Sequence, residues 1–134
     1  MQSPQPARFT TAPSLEDLIT MADQALEALP AELASLVKGV AIHVVDFPDE
    51  ATMTEMACES PYDLLGLYAG IPFGEAEGVS LRADVDRIFL YRRPILDYWC
   101  DTGEDLGHLI GHVLIHEIGH HFGLSDDDMA ALER

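Results

Sequence analysis

The run from His116 to Asp126 constrains the fold more strongly than any other part of the sequence. It places two histidines, His116 and His120, four positions apart, with Glu117 directly after the first. On a helix, residues four apart lie on one face, one turn above the other. Both imidazoles can therefore point at one spot, as a tetrahedral Zn²⁺ requires of two of its ligands. The spacing predicts a helix through this run with a metal site on one face.

The residues around the two histidines indicate a specific chemistry. A carboxylate in the position of Glu117 can accept a proton from a metal-activated water without itself binding the metal, as in the H-E-x-x-H pattern of zinc-dependent hydrolases. Gly123 can end the helix in the left-handed conformation, which lets the chain turn back and bring Asp126 toward the metal. The spacing matches the longer H-E-x-x-H-x-x-G-x-x-H/D pattern of metzincins, with Asp as the last ligand.

Several alternatives to this assignment remain open. Four histidines spaced by four could form a solvated polar face or an incidental metal site: His108, His112, His116 and His120. Glu117, however, falls among apolar side chains, where a carboxylate without a partner is costly to bury, and this favours a functional role. His112 could replace His120 as the partner of His116, but no acidic residue follows it. His121 is expected to form hydrogen bonds rather than to bind metal.

The acidic run after Gly123 allows more than one register. Asp126 has the ligand offset, and a shift by one residue would select a neighbouring aspartate. Asp127 and Asp128 are also suited to the first turn of a last helix, predicted over 127–133, because carboxylates stabilise helix N-termini. Met129 is expected to be a core residue of that helix. Tyr68, Tyr91 and Tyr98 are candidates for stabilising an oxyanion, each with packing as the simpler explanation.

Composition and charge narrow the class of protein. A chain of 134 residues with 48% hydrophobic residues fits one folded domain, and no apolar run approaches the length of a membrane span. The N-terminus lacks the apolar segment of a signal peptide, so the expected location is cytoplasmic and no membrane partner is expected. A net charge of -17, from 24 acidic and 7 basic residues, argues against a nucleic-acid partner. Cys58 and Cys100 have neither zinc-knuckle spacing nor the pattern of a disulfide framework.

Hydrophobic periodicity and breakers predict the elements. We expect a flexible N-terminal tail over residues 1–13 and a single domain over 14–134. Helical segments are predicted at 15–29, 30–37, 49–58, 95–99, 104–122 and 127–133, the fifth capped by Thr102 with Asp105. Strands are predicted at 40–46, 64–68 and 87–91, and a loop at 69–80. His43 alternates with apolar residues in the first strand and is expected to be a face residue.

Beyond these patterns, the sequence resembles the minimal zincins, small bacterial metallopeptidase-like proteins of unknown substrate. The resemblance rests on RIFLYRRPILDYW and HVLIHEIGHHFGLSDDDM, and also on LLGLYAG and the turn at Leu29 to Leu33, so it covers the chain from about Ser14 onward. It implies a compact α+β fold in which a short mixed sheet packs against the motif helix, with helices before it. It also implies His116, His120 and Asp126 as metal ligands and Glu117 as the catalytic acid/base.

The resulting hypothesis is a zinc-dependent metallopeptidase acting on a peptide or protein substrate, with Glu117 as general base. A His₂Asp ligand set also accepts other divalent ions, so the cofactor is Zn²⁺ or a similar cation. An extended peptide is expected to add to an edge strand near 87–91 or 64–68. The alternatives are a non-catalytic metal-binding interaction module and a metal-dependent hydrolase of a non-peptide amide. The sequence does not fix the oligomeric state.

Overall fold

The computed structural model describes residues 11–37, 39–70 and 86–133, and the predicted α+β class is confirmed. Helices and three short strands follow one another along the chain. They are α1 (Leu15–Glu27), α2 (Ala31–Ala34), β1 (Ala41–Val45), α3 (Glu50–Glu55), β2 (Gly66–Ala69), β3 (Arg87–Tyr91), α4 (Arg92–Thr102), α5 (Leu106–His121) and α6 (Asp126–Leu132). Of the predicted tail, residues 1–10 lie outside the described residues, as does most of the predicted loop at 69–80.

The three strands form one mixed sheet in the order β1-β3-β2. β1 pairs with β3 in parallel, with Ala41 opposite Arg87, and β2 pairs with β3 in antiparallel fashion, with Gly66 opposite Leu90. β3 is therefore the central strand. The expectation that residues 87–91 could form an edge strand is wrong, because β3 has a partner on each side, whereas β2 lies at an edge of the sheet that the described strands form.

The core lies between the sheet and two helices, α1 and α5. Ile88 and Leu90 of β3 are completely buried on one face of the sheet, because alternate side chains of a strand point to the same side. They pack in one cluster with buried side chains of α1 and α5, among them Leu18, Ala22, Leu109, Ile110, Leu114 and Ile118. Each such aliphatic side chain contributes roughly 1.5–3 kcal/mol when it is fully buried. Helix α5 is thus fixed against the sheet along its length.

A close approach brings the edge strand to the motif helix. A Cβ atom on Gly66 would lie 2.9 Å from Val113 Cγ1 and 3.0 Å from the carbonyl oxygen of Phe89, both too close for an ordinary contact. Glycine at this position therefore lets β2 pass directly beside α5. This contact places the edge of β2 next to the histidine-bearing part of the helix.

Several element boundaries differ from the prediction, and β2 (Gly66–Ala69) begins two residues later than the predicted strand at 64–68. Helix α4 begins at Arg92 directly after β3, with Pro94 inside its first turn, where the missing N–H of proline costs no helical hydrogen bond. The cap of α5 is Asp105, whose carboxylate accepts from the N–H of His108 at 2.9 Å, and not Thr102. Helix α6 begins at Asp126, because Ser125 caps it in a capping box with Asp128.

The start of the described chain is tied to the domain. Pro13 is buried, and its carbonyl oxygen accepts a hydrogen bond from Arg92 Nε at 2.6 Å. Among the described helices, none is long and apolar enough to cross a membrane.

Candidate metal centre

Helix α5 carries a histidine stripe along one face, which ends at the candidate metal centre. The ring centroids of His116 and His120 are 5.9 Å apart, with planes tilted by 59°. Two imidazoles that each place a nitrogen about 2.0–2.1 Å from one tetrahedral Zn²⁺ have ring centres roughly 5 Å apart. The rings of His112 and His116 are closer, at 4.1 Å and 36°, and approach a stacked arrangement. Both ring spacings differ from this value by about 0.9 Å, so the distance between the rings does not by itself choose His112 or His120 as the partner of His116.

The surroundings of His116 favour its neutral form. Burial lowers the pKa of His116, and the neighbouring His112 lowers it further, while Glu133 acts in the opposite direction. A neutral imidazole keeps the nitrogen lone pair that binds a metal ion, whereas the protonated ring has none. The structure thus holds this histidine in the state that a metal ligand requires.

Glu117 lies between the helix and the edge of the sheet. Burial raises its pKa, while a hydrogen bond from the backbone N–H of Tyr68 acts to lower it. The N–H of Tyr91 donates to the carbonyl of Leu65. In an antiparallel pair only every second residue forms hydrogen bonds with the partner strand, so residues 65, 67 and 69 bond to β3. The backbone groups of Gly66 and Tyr68 therefore point away from β3. The carboxylate of Glu117 therefore meets the outward side of the edge strand, and its orientation is fixed there.

The turn after α5 follows the predicted course. Gly123 has φ of 80°, in the left-handed region. The N–H of Gly123 donates to His120 O at 3.2 Å and that of Leu124 donates to Gly119 O at 2.8 Å, which together form a Schellman motif. The chain turns back so that Met129 of α6 packs, fully buried, against Gly119.

Asp126 is exposed as the first residue of α6, and its charge acts on the pKa of His116 in the raising direction. The structure brings a different carboxylate closer. Glu133, the residue that follows α6, lies 2.8 Å from His112 Nδ1 through Oε1 and 3.5 Å from His116 Nε2 through Oε2. His112, His116 and Glu133 form a group whose ligand atoms lie within 4.8 Å of one another. Among the described residues, no such group contains His120 or Asp126.

Sequence reasoning did not identify Glu133. It is separated from the motif by a turn and a helix, and no fixed offset from His120 marks it as a neighbour of His116. His112 was considered as an alternative ligand because it belongs to the histidine stripe. Its contact with Glu133 depends on how α6 folds back, which the sequence pattern does not specify.

Tyr68 and His121 form a stacked pair beside the centre. Their rings are 3.9 Å apart with planes within 16°, and the Tyr68 hydroxyl donates to Asp86 Oδ2 at 2.7 Å. Burial and then the Asp86 carboxylate raise the pKa of Tyr68. The hydroxyl is thus held by Asp86 rather than directed at the histidines. Nε2 of His121 is buried and has no hydrogen-bond partner among the described residues.

The other residues considered from the sequence do not join the described histidine cluster, although the charge of Glu117 acts on the pKa of Tyr91 in the raising direction. Tyr91 and Phe89 stack at 6.4 Å on the same side of β3, and exposed His43 stacks on Phe89 at 5.3 Å. Tyr98 is 43% exposed on α4, which leaves its hydroxyl in solvent rather than in an enclosed site. Cys58 and Cys100 are both free thiols.

The region that contains the sheet and the histidine helix matches a known family. A family model described as zincin-like metallopeptidase matches residues 37–134, which is most of the chain. No curated protein matches this chain.

Proposed function

The chain belongs to the zincin-like metallopeptidase family, and from this premise we propose that it hydrolyses peptide bonds with Glu117 as general base. The family implies a metal ion, usually zinc. We propose that His116, His120 and Asp126 hold this ion, because the two histidines lie one turn apart on α5 in the family's motif and the turn at Gly123 returns the chain toward them.

The position of Glu117 carries the proposal. A partly buried carboxylate with a raised pKa holds a proton more readily than an exposed glutamate does, and this suits a group that must accept and release a proton in one cycle. The hydrogen bond from the N–H of Tyr68 orients the carboxylate. When bound, the metal ion lowers the pKa of a water molecule toward about 7 and polarises the carbonyl of the substrate. Glu117 would accept a proton from this water as the water oxygen bonds to the carbonyl carbon, and would donate the proton to the nitrogen as the carbon–nitrogen bond breaks.

The edge of β2 is the proposed place for the substrate chain. The N–H and C=O of Gly66 and the C=O of Tyr68 point away from β3, and β2 lies beside α5 through the close contact of Gly66 with Val113. An extended peptide can pair with these remaining groups by β-addition. The N–H of Tyr68 is bonded to Glu117 instead, which supports a proposed base beside this same edge.

The test compares three variants with the parent by metal content and by turnover of a peptide library. Glu117→Gln is expected to retain the metal and to lose turnover by about 10²–10⁴-fold, the usual contribution of a general base. His116→Ala is expected to lose both the metal and the activity. The control is Glu27→Gln, which changes an exposed glutamate at the end of α1 and is expected to match the parent.

The outcomes separate the alternatives. Equal activity of Glu117→Gln and the parent would exclude the proposed role of this carboxylate. A chain that binds metal but hydrolyses no amide in a Glu117-dependent way would be a binding module. Turnover of small amides with intact extended peptides would indicate a hydrolase of non-peptide amides.

A further inference from the structure

His112 and Glu133 form a cluster beside the proposed catalytic ligands that the proposed mechanism does not use. The carboxylate of Glu133 spans two histidines, with 2.8 Å from Oε1 to His112 Nδ1 and 3.5 Å from Oε2 to His116 Nε2. Glu133 is only 20% exposed, so it does not simply extend into solvent. The three residues offer two imidazole nitrogens and a carboxylate at one point.

The fold holds this cluster together from both sides. His112 lies one turn before His116 on α5, which fixes the spacing of the two rings. The Schellman turn at Gly123 and the packing of Met129 on Gly119 hold α6 against α5. Glu133 follows directly after α6, so its position depends on a packed helix rather than on a loose chain.

One of the two contacts suits a divalent cation, whereas the other, 2.8 Å between His112 Nδ1 and Glu133 Oε1, has the length of a hydrogen bond that a bound ion would replace. The 3.5 Å between His116 Nε2 and Glu133 Oε2 is longer than a good N–H···O hydrogen bond. It is close to the separation of roughly 3.4 Å between two ligand atoms on a tetrahedral Zn²⁺ with bonds of about 2.1 Å. Imidazole and carboxylate ligands together suit zinc and several neighbouring transition metals.

The cluster is open to cations. His112 is exposed by 45%, and a groove of about 410 Å³ reaches the cluster between α1, α5 and the end of α6. His112, Ile115, Leu132 and Glu133 line this groove. A net charge of -17 attracts cations to the surface as a whole.

His116 belongs both to the proposed catalytic ligands and to the cluster with His112 and Glu133, so only one of the two sites can hold a metal ion at a time. A neutral imidazole has one nitrogen lone pair and therefore binds one metal ion at a time. We propose that His112, Glu133 and His116 form a second, inhibitory divalent-cation site that competes with the catalytic site for His116. The inhibitory role rests on the proposed peptidase function, whereas the binding itself does not.

The binding experiment uses the His120→Ala chain, in which the proposed catalytic pair is lost. Titration calorimetry with Zn²⁺ is expected to show one bound equivalent. Adding Glu133→Gln or His112→Ala to this chain is expected to weaken binding at least tenfold. The control is Glu104→Gln, which removes another glutamate next to a histidine of α5, 3.9 Å from His108, and is expected to leave binding unchanged. Absent binding, or binding that neither substitution weakens, would overturn the second site.

A second measurement uses chains with an intact His120. Activity of the parent is expected to rise with Zn²⁺ and then to level off, because exclusive sites divide the same ion between them in a ratio that does not depend on its concentration. Glu133→Gln is expected to raise the activity at saturating Zn²⁺ at least twofold, since loss of an equally strong competing site doubles the fraction of chains with an occupied catalytic site. An unchanged activity at saturating Zn²⁺ would overturn the inhibitory role. If Glu133→Gln instead loses the first equivalent of metal, Glu133 belongs to the catalytic site and the proposal fails. If no chain hydrolyses peptides while Zn²⁺ binding still depends on Glu133, the proposed function fails and the site stands.

Discussion

At the scale of single residues, Tyr91 is a buried tyrosine at the end of the central strand, and nearby carboxylates affect its pKa. The side chain is 2% exposed, and burial raises its pKa to about 12, with the carboxylates of Asp49 and Glu117 adding to the shift. An unfolded chain would lose this proton near pH 10. The stability associated with the neutral phenol is therefore fully present below about pH 10 and is lost as the pH rises through about 12.

Tyr91→Phe is expected to reduce this alkaline loss of stability, because phenylalanine has no proton to release. The measurement is the urea midpoint of unfolding at a series of pH values between about 8 and about 12. Tyr98→Phe, at an exposed position of α4, serves as control and is expected to follow the parent. An unchanged alkaline slope in Tyr91→Phe would show that the ionisation of Tyr91 is not coupled to folding.

The sequence predicts the relative positions of those site residues that lie on the same helix. His116, Glu117 and His120 lie on α5, so the helical repeat alone gives their relative positions. Their assignment as ligands and base remains a prediction. The contact of Glu117 with the N–H of Tyr68 depends on strand register, and that of Glu133 with His116 depends on a turn and a second helix. Such contacts arise from tertiary packing, which local spacing does not encode.

At the scale of elements, the contact between α5 and α6 determines where Asp126 and Glu133 lie. Gly119 gives Met129 room, because a Cβ at this position would overlap the sulfur and Cγ of the methionine. Gly119→Ala is expected to lower the free energy of unfolding by about 1–3 kcal/mol through overpacking. Gly111→Ala, on the same helix, is expected to raise it by up to about 1 kcal/mol, since its Cβ would meet nothing within 4 Å and alanine favours a helix.

Urea denaturation of both variants checks this difference. The two substitutions add the same methyl group to the same helix, so helix propensity cancels and the packing against Met129 remains. Equal stability of the two variants would contradict the close contact of α5 with α6.

Elements with strong periodicity were well predicted, and those governed by a local exception were not. β3 has the predicted limits, Arg87–Tyr91, because a run of β-branched and aromatic residues ends at a basic pair. The sequence predicts α4 too short, at 95–99, because proline usually breaks a helix, whereas Pro94 occupies the tolerated first turn. The cap of α5 was assigned to Thr102, whereas Gly103, with φ of 73°, ends α4 and leaves Asp105 as the cap.

At the scale of the whole molecule, a net charge of -17 opposes the compact state, because like charges repel more strongly when they are close together. Salt screens this repulsion, with a Debye length of about 10 Å at 0.1 M. The urea midpoint of the metal-free chain is therefore expected to rise between about 0.01 M and about 0.1 M NaCl.

The same salt series near pH 4 provides the control, since many carboxylates are then protonated and less repulsion remains. A midpoint that falls with salt at neutral pH would mean that attractive ion pairs outweigh the general repulsion. Arg92 with Asp46, at 3.0 Å, is one pair that salt would weaken.

The hydrogen bond between Glu117 and the N–H of Tyr68 also bears on colloidal behaviour. An edge strand with unpaired N–H groups is a template onto which other chains can add, and repeated addition leads to aggregates. At β2 the outward N–H of Tyr68 already has an acceptor within its own chain. The carboxylate at position 117 therefore withdraws this donor from pairing between molecules, and the short edge of the sheet is partly protected against self-association.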